Sequence, residues 1–237
     1  VWNGTTWSWQ ETRNPAWAYL DVLRGSANPR PVSDDRLDLP AFLAWAQDCD
    51  AAPASGSGPK REFNGVFADR TTVFDALRDI AAAGRAAFGM REGKFSIVRD
   101  VPQSVPIQHF TPRNSRSFRG YRVFSEPPHA IRARYVEPAR EWSEQEVIVY
   151  ADGYDETNAT RIEEMEWFGV TNRDQAWRET RYAMAVARLR PEVFELTTDI
   201  EHLLVTRGDL VRVTHDVPGF GVSSGRVVSV QAENGVV

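Results

Sequence analysis

The sequence predicts an α+β protein in two parts: a helix-and-hairpin unit over residues 1–112 and a β-rich unit over 113–237 that contains one long helix. Three observations predict this. Apolar residues at helical spacing follow capping residues at Asn14, Asp38, Thr71 or Thr72, and Asn172. Elsewhere, short runs alternate apolar with polar residues and end in Gly or Pro. Pro102, Pro106 and Pro112 punctuate the passage from one pattern to the other, which sets the boundary near 112.

In the first unit, Asn14 caps a helix whose first position is Pro15, with Trp17, Leu20 and Leu23 along one side until Gly25. A second helix starts at Asp38 and turns Phe42, Leu43 and Ala46 inward. Residues 51–60 (AAPASGSGPK) have nothing to bury and read as a flexible loop inside the unit. A strand over 62–68 follows, then a helix with Val73, Leu77 and Ile80 inward, ending near Gly84. Arg91-Glu92-Gly93 is short enough to make 87–90 and 95–98 the arms of a hairpin.

In the second unit, strands are expected at 117–124, 130–137 and 145–151. Ile131, Ala133 and Tyr135 alternate with Arg132, Arg134 and Val136, the pattern of a strand with one wet face. The long helix spans 172–190. Asn172 and Gln175 have capping-box spacing, Trp177, Thr180, Met184 and Ala187 line one side, and Pro191 ends it. Strands at 193–199, 209–215 and 225–231 close the chain, the last two as a hairpin.

Composition narrows the function classes. A net charge of -5 and a pI of about 5.5 give no overall positive field for nucleic acid or anionic lipid. Cys49 is the single cysteine, so the chain has no internal disulfide and no thiol-based zinc site. No stretch approaches the roughly 18 apolar residues that span a bilayer. The start Val1-Trp2-Asn3-Gly4 and the end Asn234-Gly235-Val236-Val237 read as those of a fragment. The order of helices and hairpin from 14 to 99 also suggests a winged-helix DNA reader, but eight basic residues against six acidic between 60 and 100 are too balanced for one.

Several strings imitate functional motifs. Gly221-Val222-Ser223-Ser224-Gly225 fits G-x-S-x-G, but no Asp or His follows Ser223, and a hairpin turn explains it better than a nucleophile elbow. Arg207-Gly208-Asp209 matches an adhesion tripeptide and reads as a turn into the strand that begins at Leu210. His109, His129, His202 and His215 lack metal-ligand spacing. Asp152, Asp155 and Glu156 form a solvated acidic turn rather than a calcium loop. Glu163, Glu164 and Glu166 are numerous enough to supply a glycosidase pair, but sequence gives no carboxyl separation and a charged surface explains them without catalysis, with Glu163 and Glu166 on one face if the stretch is helical. No catalytic residue, cofactor or metal is assigned.

Of the eight tryptophans, Trp17, Trp45 and Trp177 fall at helical core positions. Trp2, Trp7 and Trp9 alternate near the start and suit an exposed strand. Arg173, Arg178, Arg181, Arg188 and Arg190 give the long helix a basic face. The candidate interface residues are therefore Trp7, Trp9, Arg173, Arg178 and Arg181. The tryptophans and acidic clusters also motivate an alternative, a carbohydrate-binding or cell-wall-degrading module.

An ordered series of segments carries a family resemblance. Asn14-Pro15-Ala16-Trp17 through Asp21 and Leu23, Leu43 to Cys49-Asp50, Asp75-Ala76-Leu77-Arg78-Asp79 and Asp100-Val101-Pro102 belong to it. It continues through Phe168-Gly169-Val170-Thr171, Gln175-Ala176-Trp177-Arg178, Gly208-Asp209-Leu210-Val211 and Gly225-Arg226-Val227. Over about 2–230 the chain resembles the central region of the host-specificity tail tip protein of lambda-type long-tailed phages. It departs from that pattern at Arg207, where a proline often precedes the Gly-Asp turn. The resemblance implies a barrel-like, ring-forming hub domain and a homotrimer at the distal end of the tail tube. Its partners would be other tail tip and tail tube proteins, and a host receptor reached through regions outside this chain. The implied place is the virion tail tip, after synthesis in the bacterial cytoplasm, with a role in attachment and DNA entry but no enzymatic activity and no sequence-specific nucleic-acid binding.

Overall fold

The computed structural model describes residues 1–68, 70–123, 126–216 and 220–228. In chain order the elements are α1 (Pro15–Arg24), α2 (Leu39–Asp50), α3 (Val73–Ala83), β1 (Ala86–Arg91), β2 (Lys94–Arg99), β3 (Gln108–Phe110) and β4 (Ser115–Arg122). They continue with β5 (Ala130–Glu137), β6 (Ser143–Tyr150), β7 (Ile162–Glu166), α4 (Arg173–Leu189), β8 (Glu192–Thr198), β9 (Leu210–His215) and β10 (Phe220–Arg226). The fold is α+β. Among the described residues the strands form four small sheets, ordered β1-β2, β10-β9-β3, β4-β8 and β6-β5-β7. Closure requires every strand to be paired on both edges, and among the described residues these sheets end in open edges, so no closed barrel forms where a barrel-like domain was expected.

The chain divides into two compact units, one joining Val1–Ile97 to Phe124–Pro191, the other joining Val98–Val123 to Glu192–Val237. This grouping differs from a single cut near 112. Helix α4 and the sheet β6-β5-β7 fall in the same unit as the N-terminal helices.

The caps of the first unit do more than start helices. Asn14 Oδ1 accepts from Ala16 N at 2.9 Å, while its Nδ2 donates to the Ala46 carbonyl at 2.9 Å and so ties α1 to α2. Asp38 accepts from Ala41 N at 3.3 Å and from Ser96 Oγ at 2.8 Å, which joins α2 to β2. At α3, Thr72 Oγ1 accepts from Asp75 N at 3.0 Å and donates to Asp75 Oδ2 at 2.6 Å. Between the helices, the rings of Tyr19, Phe42 and Trp45 meet at centroid distances of 5.6 to 6.4 Å. Trp45 Nε1 donates to the Gly84 carbonyl at 2.9 Å, and the indole lies so close that a Cβ on Gly84 would overlap it.

Residues 62–68 are not the strand expected there. Their backbone partners come singly from separate segments, with Phe63 N donating to Arg13 O at 2.8 Å and Asn64 N to Gly169 O at 2.7 Å, so no ladder can form. The hairpin β1-β2 turns at Glu92 and Gly93, both at positive φ. In the three-stranded sheet, β5 pairs antiparallel with β6 from Ala130↔Tyr150 to Glu137↔Ser143, and parallel with β7. Ile131, Ala133 and Tyr135 of β5 are buried with Val147 and Val149 of β6, as the alternation predicts. On the other face Arg132 and Arg134 form a ladder with Glu144, Glu146 and Glu164. Glu163, Glu164 and Glu166 therefore lie on a strand rather than a helix, because β5 offers β7 a parallel edge.

The second unit has a small core, Phe110, Val205 and Val211, packed by Leu196, Val213 and Val227. Strand β9 is central between β3 (parallel) and β10 (antiparallel). The Gly221–Gly225 string lies within β10 rather than in a turn before it, since β10 begins at Phe220 and not near 225; residues 229–231 of the expected strand lie outside the described residues. Arg207-Gly208-Asp209 is a turn. Gly208 takes φ +94, which admits glycine readily, and Asp209 Oδ2 accepts from Thr206 N at 2.7 Å and Thr206 Oγ1 at 2.9 Å.

Candidate functional site

Helix α4 holds three of the five candidate interface residues. Asn172 Oδ1 caps it, accepting from Asp174 N at 2.8 Å and Gln175 N at 3.3 Å. Its inner face is Gln175, Ala176, Glu179, Thr180, Met184 and Ala187. Trp177 is not on that face. It is 42% exposed, because the helix is rotated to bury two polar residues, Gln175 and Glu179, in its place.

Those two residues organise the first unit. Gln175 Oε1 accepts from Glu62 N at 2.8 Å, and its Nε2 donates to the carbonyls of Glu62 at 3.0 Å and Ala83 at 3.2 Å. Glu179 is 3% exposed and holds two guanidinium groups, Arg61 Nε at 3.1 Å on Oε1 and Arg85 Nε at 2.7 Å on Oε2. Arg61 reaches on to Asp48 at 2.9 Å, and Lys60 holds the other Asp48 oxygen at 2.9 Å. Burial raises the Asp48 pKa, and Lys60 and Arg61 outweigh it, so the carboxyl lies below its ordinary value. Arg85 also covers the Tyr182 ring at 3.7 Å. No local pattern announces this cluster, whose members come from four separated stretches of chain.

The arginines of the outer face are mostly engaged within the chain. Arg178 donates to the carbonyls of Ser55 at 3.2 Å and Lys60 at 2.9 Å, and so straps the 51–60 loop to α4. Burial lowers its pKa. Arg181 donates to Tyr150 O at 2.7 Å and to Asp152 at 2.6 Å, and Arg188 reaches the other Asp152 oxygen at 3.2 Å. The hydrogen bond from Arg181 is the first cause of a depressed Asp152 pKa. Arg173 is exposed on the first turn of the helix.

Trp7 and Trp9 separate. Trp7 packs on Trp2 at 5.3 Å, donates from Nε1 to Asp34 at 2.7 Å, and lies 3.7 Å beneath the Arg24 guanidinium. Trp9 is fully exposed, at 101% of its reference area. Of the candidates, then, Trp9 and Arg173 present free surface, while Trp7, Arg178 and Arg181 also hold the fold together.

A cleft of about 390 Å³ opens beside α1, lined in part by Glu11, Asp50, Arg61 and Glu62. It mixes both signs of charge, and Arg61 is already paired within the fold. The histidines occupy separate settings: His129 stacks on Tyr154 at 4.0 Å, His215 on Phe118 at 4.4 Å, and His109 bonds Thr214 at 2.8 Å. Among the described residues no group of three or more His, Cys, Asp or Glu is placed to hold a metal ion. Within the same residues no helix is long and apolar enough to cross a membrane.

Residues 75–230 match the family described as "Putative phage tail protein", a match that takes in elements of both compact units. The chain belongs to this phage tail protein family. Among solved structures, the phage tail fold described here is similar to the tail protein from Neisseria meningitidis MC58, with a TM-score of 0.51 and 14% identity over 78% of this chain. The likeness is one of fold. A chain of the native gene transfer agent virion aligns with a TM-score of 0.48 and 18% identity over 68% of this chain. The phage tail segment spans 57% of the first of these chains and 40% of the second.

Proposed function

We propose that the chain is a structural part of a phage or prophage tail tip, a hub segment that forms a ring with other copies of itself at the distal end of the tail tube. In this reading it is a trimer in the full-length protein, contacts other tail tip and tail tube proteins, and anchors receptor-binding parts carried elsewhere in the polypeptide. Its role is mechanical, in attachment and DNA entry, without enzymatic activity.

The observation that carries the reading is the phage tail family match over residues 75–230. The way α4 is built is consistent with a structural role: Glu179, Arg181 and Arg188 form ion pairs with residues outside the helix, and Arg178 hydrogen-bonds to carbonyls of the 51–60 loop. The test is mass spectrometry and antibody labelling of purified particles from a producing strain. The protein is expected at the tail end opposite the head, and deletion is expected to give particles that lack a finished tip. Particles that are complete and infectious without it would overturn the reading.

A further inference from the structure

Two strand edges of this chain carry opposite charge. Strand β4 pairs only with β8 among the described residues, and its other edge is open. It bears Arg116, Arg119 and Arg122 and no carboxylate, with the side chains of Arg116 and Arg119 64% and 73% exposed. Among the described residues strand β7 pairs only with β5, and it bears Glu163, Glu164 and Glu166 and no basic residue. Register places Arg119 and Arg122 on opposite faces of their sheet, and Glu163 and Glu164 on opposite faces of theirs. Each open edge is therefore charged above and below the plane in which another strand would bond.

An open edge is a template for another strand, and charged side chains decide which strand it accepts. Pairing of β4 with β4 of another copy would set arginines against arginines. Pairing of β7 with β7 would do the same with glutamates. We propose that copies of this chain associate head to tail, the open edge of β4 in one copy adding to the open edge of β7 in the next. The proposal rests on the ring-forming reading above and names the surface that would make the ring. A heterologous contact of this kind closes into a ring when its rotation permits. The other acidic edge, β8 with Glu192 and Glu195, is the alternative partner that the test must separate from β7; Arg119 meets Glu195 across the β4-β8 ladder only at 4.0 Å, so both strands keep charge to offer.

The test is sedimentation velocity on the chain at low and high ionic strength, since exposed charge pairs are screened by salt. Wild type is expected to self-associate and to dissociate as salt rises. Arg119→Gln/Arg122→Gln and Glu163→Gln/Glu166→Gln are each expected to weaken association at least about tenfold, several exposed pairs being lost together; Glu164 is kept because it also holds Arg132 and Arg134. Reversal variants, Arg119→Glu/Arg122→Glu and Glu163→Lys/Glu166→Lys, are expected to be monomeric alone and to associate when mixed. Unchanged denaturation midpoints in the Gln variants check that the fold is intact. A wild type that stays monomeric, association indifferent to both Gln pairs, or weakening by Glu192→Gln/Glu195→Gln instead of the β7 changes, overturns the proposal. Where such a result coincides with the protein's presence in particles, the surface falls and the tail-tip reading stands; absence from particles removes the reading itself.

Discussion

Arg61 and Glu179, 118 residues apart in sequence, meet at 3.1 Å with side chains only 7% and 3% exposed. The pair joins the extended segment after the 51–60 loop to α4, and Arg85 completes it from the end of α3. Removing the carboxylate leaves two guanidinium groups without their buried partner, which is far more damaging than losing a surface pair. Glu179→Gln is expected to lower the unfolding free energy by about 3–5 kcal/mol, measured by urea denaturation.

Gly84 gives a second, steric prediction. An added methyl there meets the Trp45 ring, which is fully buried and held by its bond to the Gly84 carbonyl. Gly84→Ala is expected to destabilise the chain by about 1–3 kcal/mol through overpacking. The bond at Trp45 should shift with it, which near-ultraviolet circular dichroism reads as a changed indole band.

Asp48 predicts a pH dependence. Burial pushes its pKa up, but Lys60 and Arg61 push it down by more, so the folded value is below the unfolded one. Its contribution is therefore present above the unfolded carboxyl pKa, about 4, and is lost as pH falls through the folded value. The stability difference between wild type and Asp48→Asn is expected to be largest near neutral pH and to shrink below pH of about 4, read from denaturation midpoints in a pH series.

Cys49 is fully buried, and burial pushes its thiol up to about 12. The thiolate is the reactive form, so a native protein at neutral pH offers almost none of it. Ellman's reagent is expected to leave Cys49 unmodified in the folded chain and to titrate one thiol after denaturation. Fast native labelling would mean that α2 opens readily.

Trp7 and Trp9 should behave oppositely. Trp9 is fully exposed, so Trp9→Ala is expected to change stability by no more than about 0.5 kcal/mol. Trp7→Ala removes the bond to Asp34 and the ring beneath Arg24, and is expected to lower the thermal midpoint measurably. Should Trp9→Ala instead reduce incorporation into particles, that residue acts at an interface and not in the fold.

Much of the first unit was legible because its signals are local. Asn14, Asp38, Thr72 and Asn172 lie beside the amides they cap, and the alternation in β5 names its buried face without reference to any partner. The family resemblance, too, follows from residue order alone, and the match over 75–230 agrees with it at the level of a phage tail protein. What needed the tertiary structure is what depends on a distant neighbour. Glu163 to Glu166 could have been helical until β5 supplied a parallel edge. Residues 62–68 could have been a strand, but their partners are scattered. Trp177 should have been buried on apolar grounds; instead Gln175 and Glu179 are, because Glu62, Ala83, Arg61 and Arg85 converge there to satisfy them. By itself the sequence determined the helix starts, the wet and dry faces of β5 and the family. The tertiary structure alone decided which charges are buried and which strand edges stay open, because desolvation and edge pairing are properties of partners brought together from distant parts of the chain, 118 residues apart for Arg61 and Glu179 and 113 for Glu62 and Gln175.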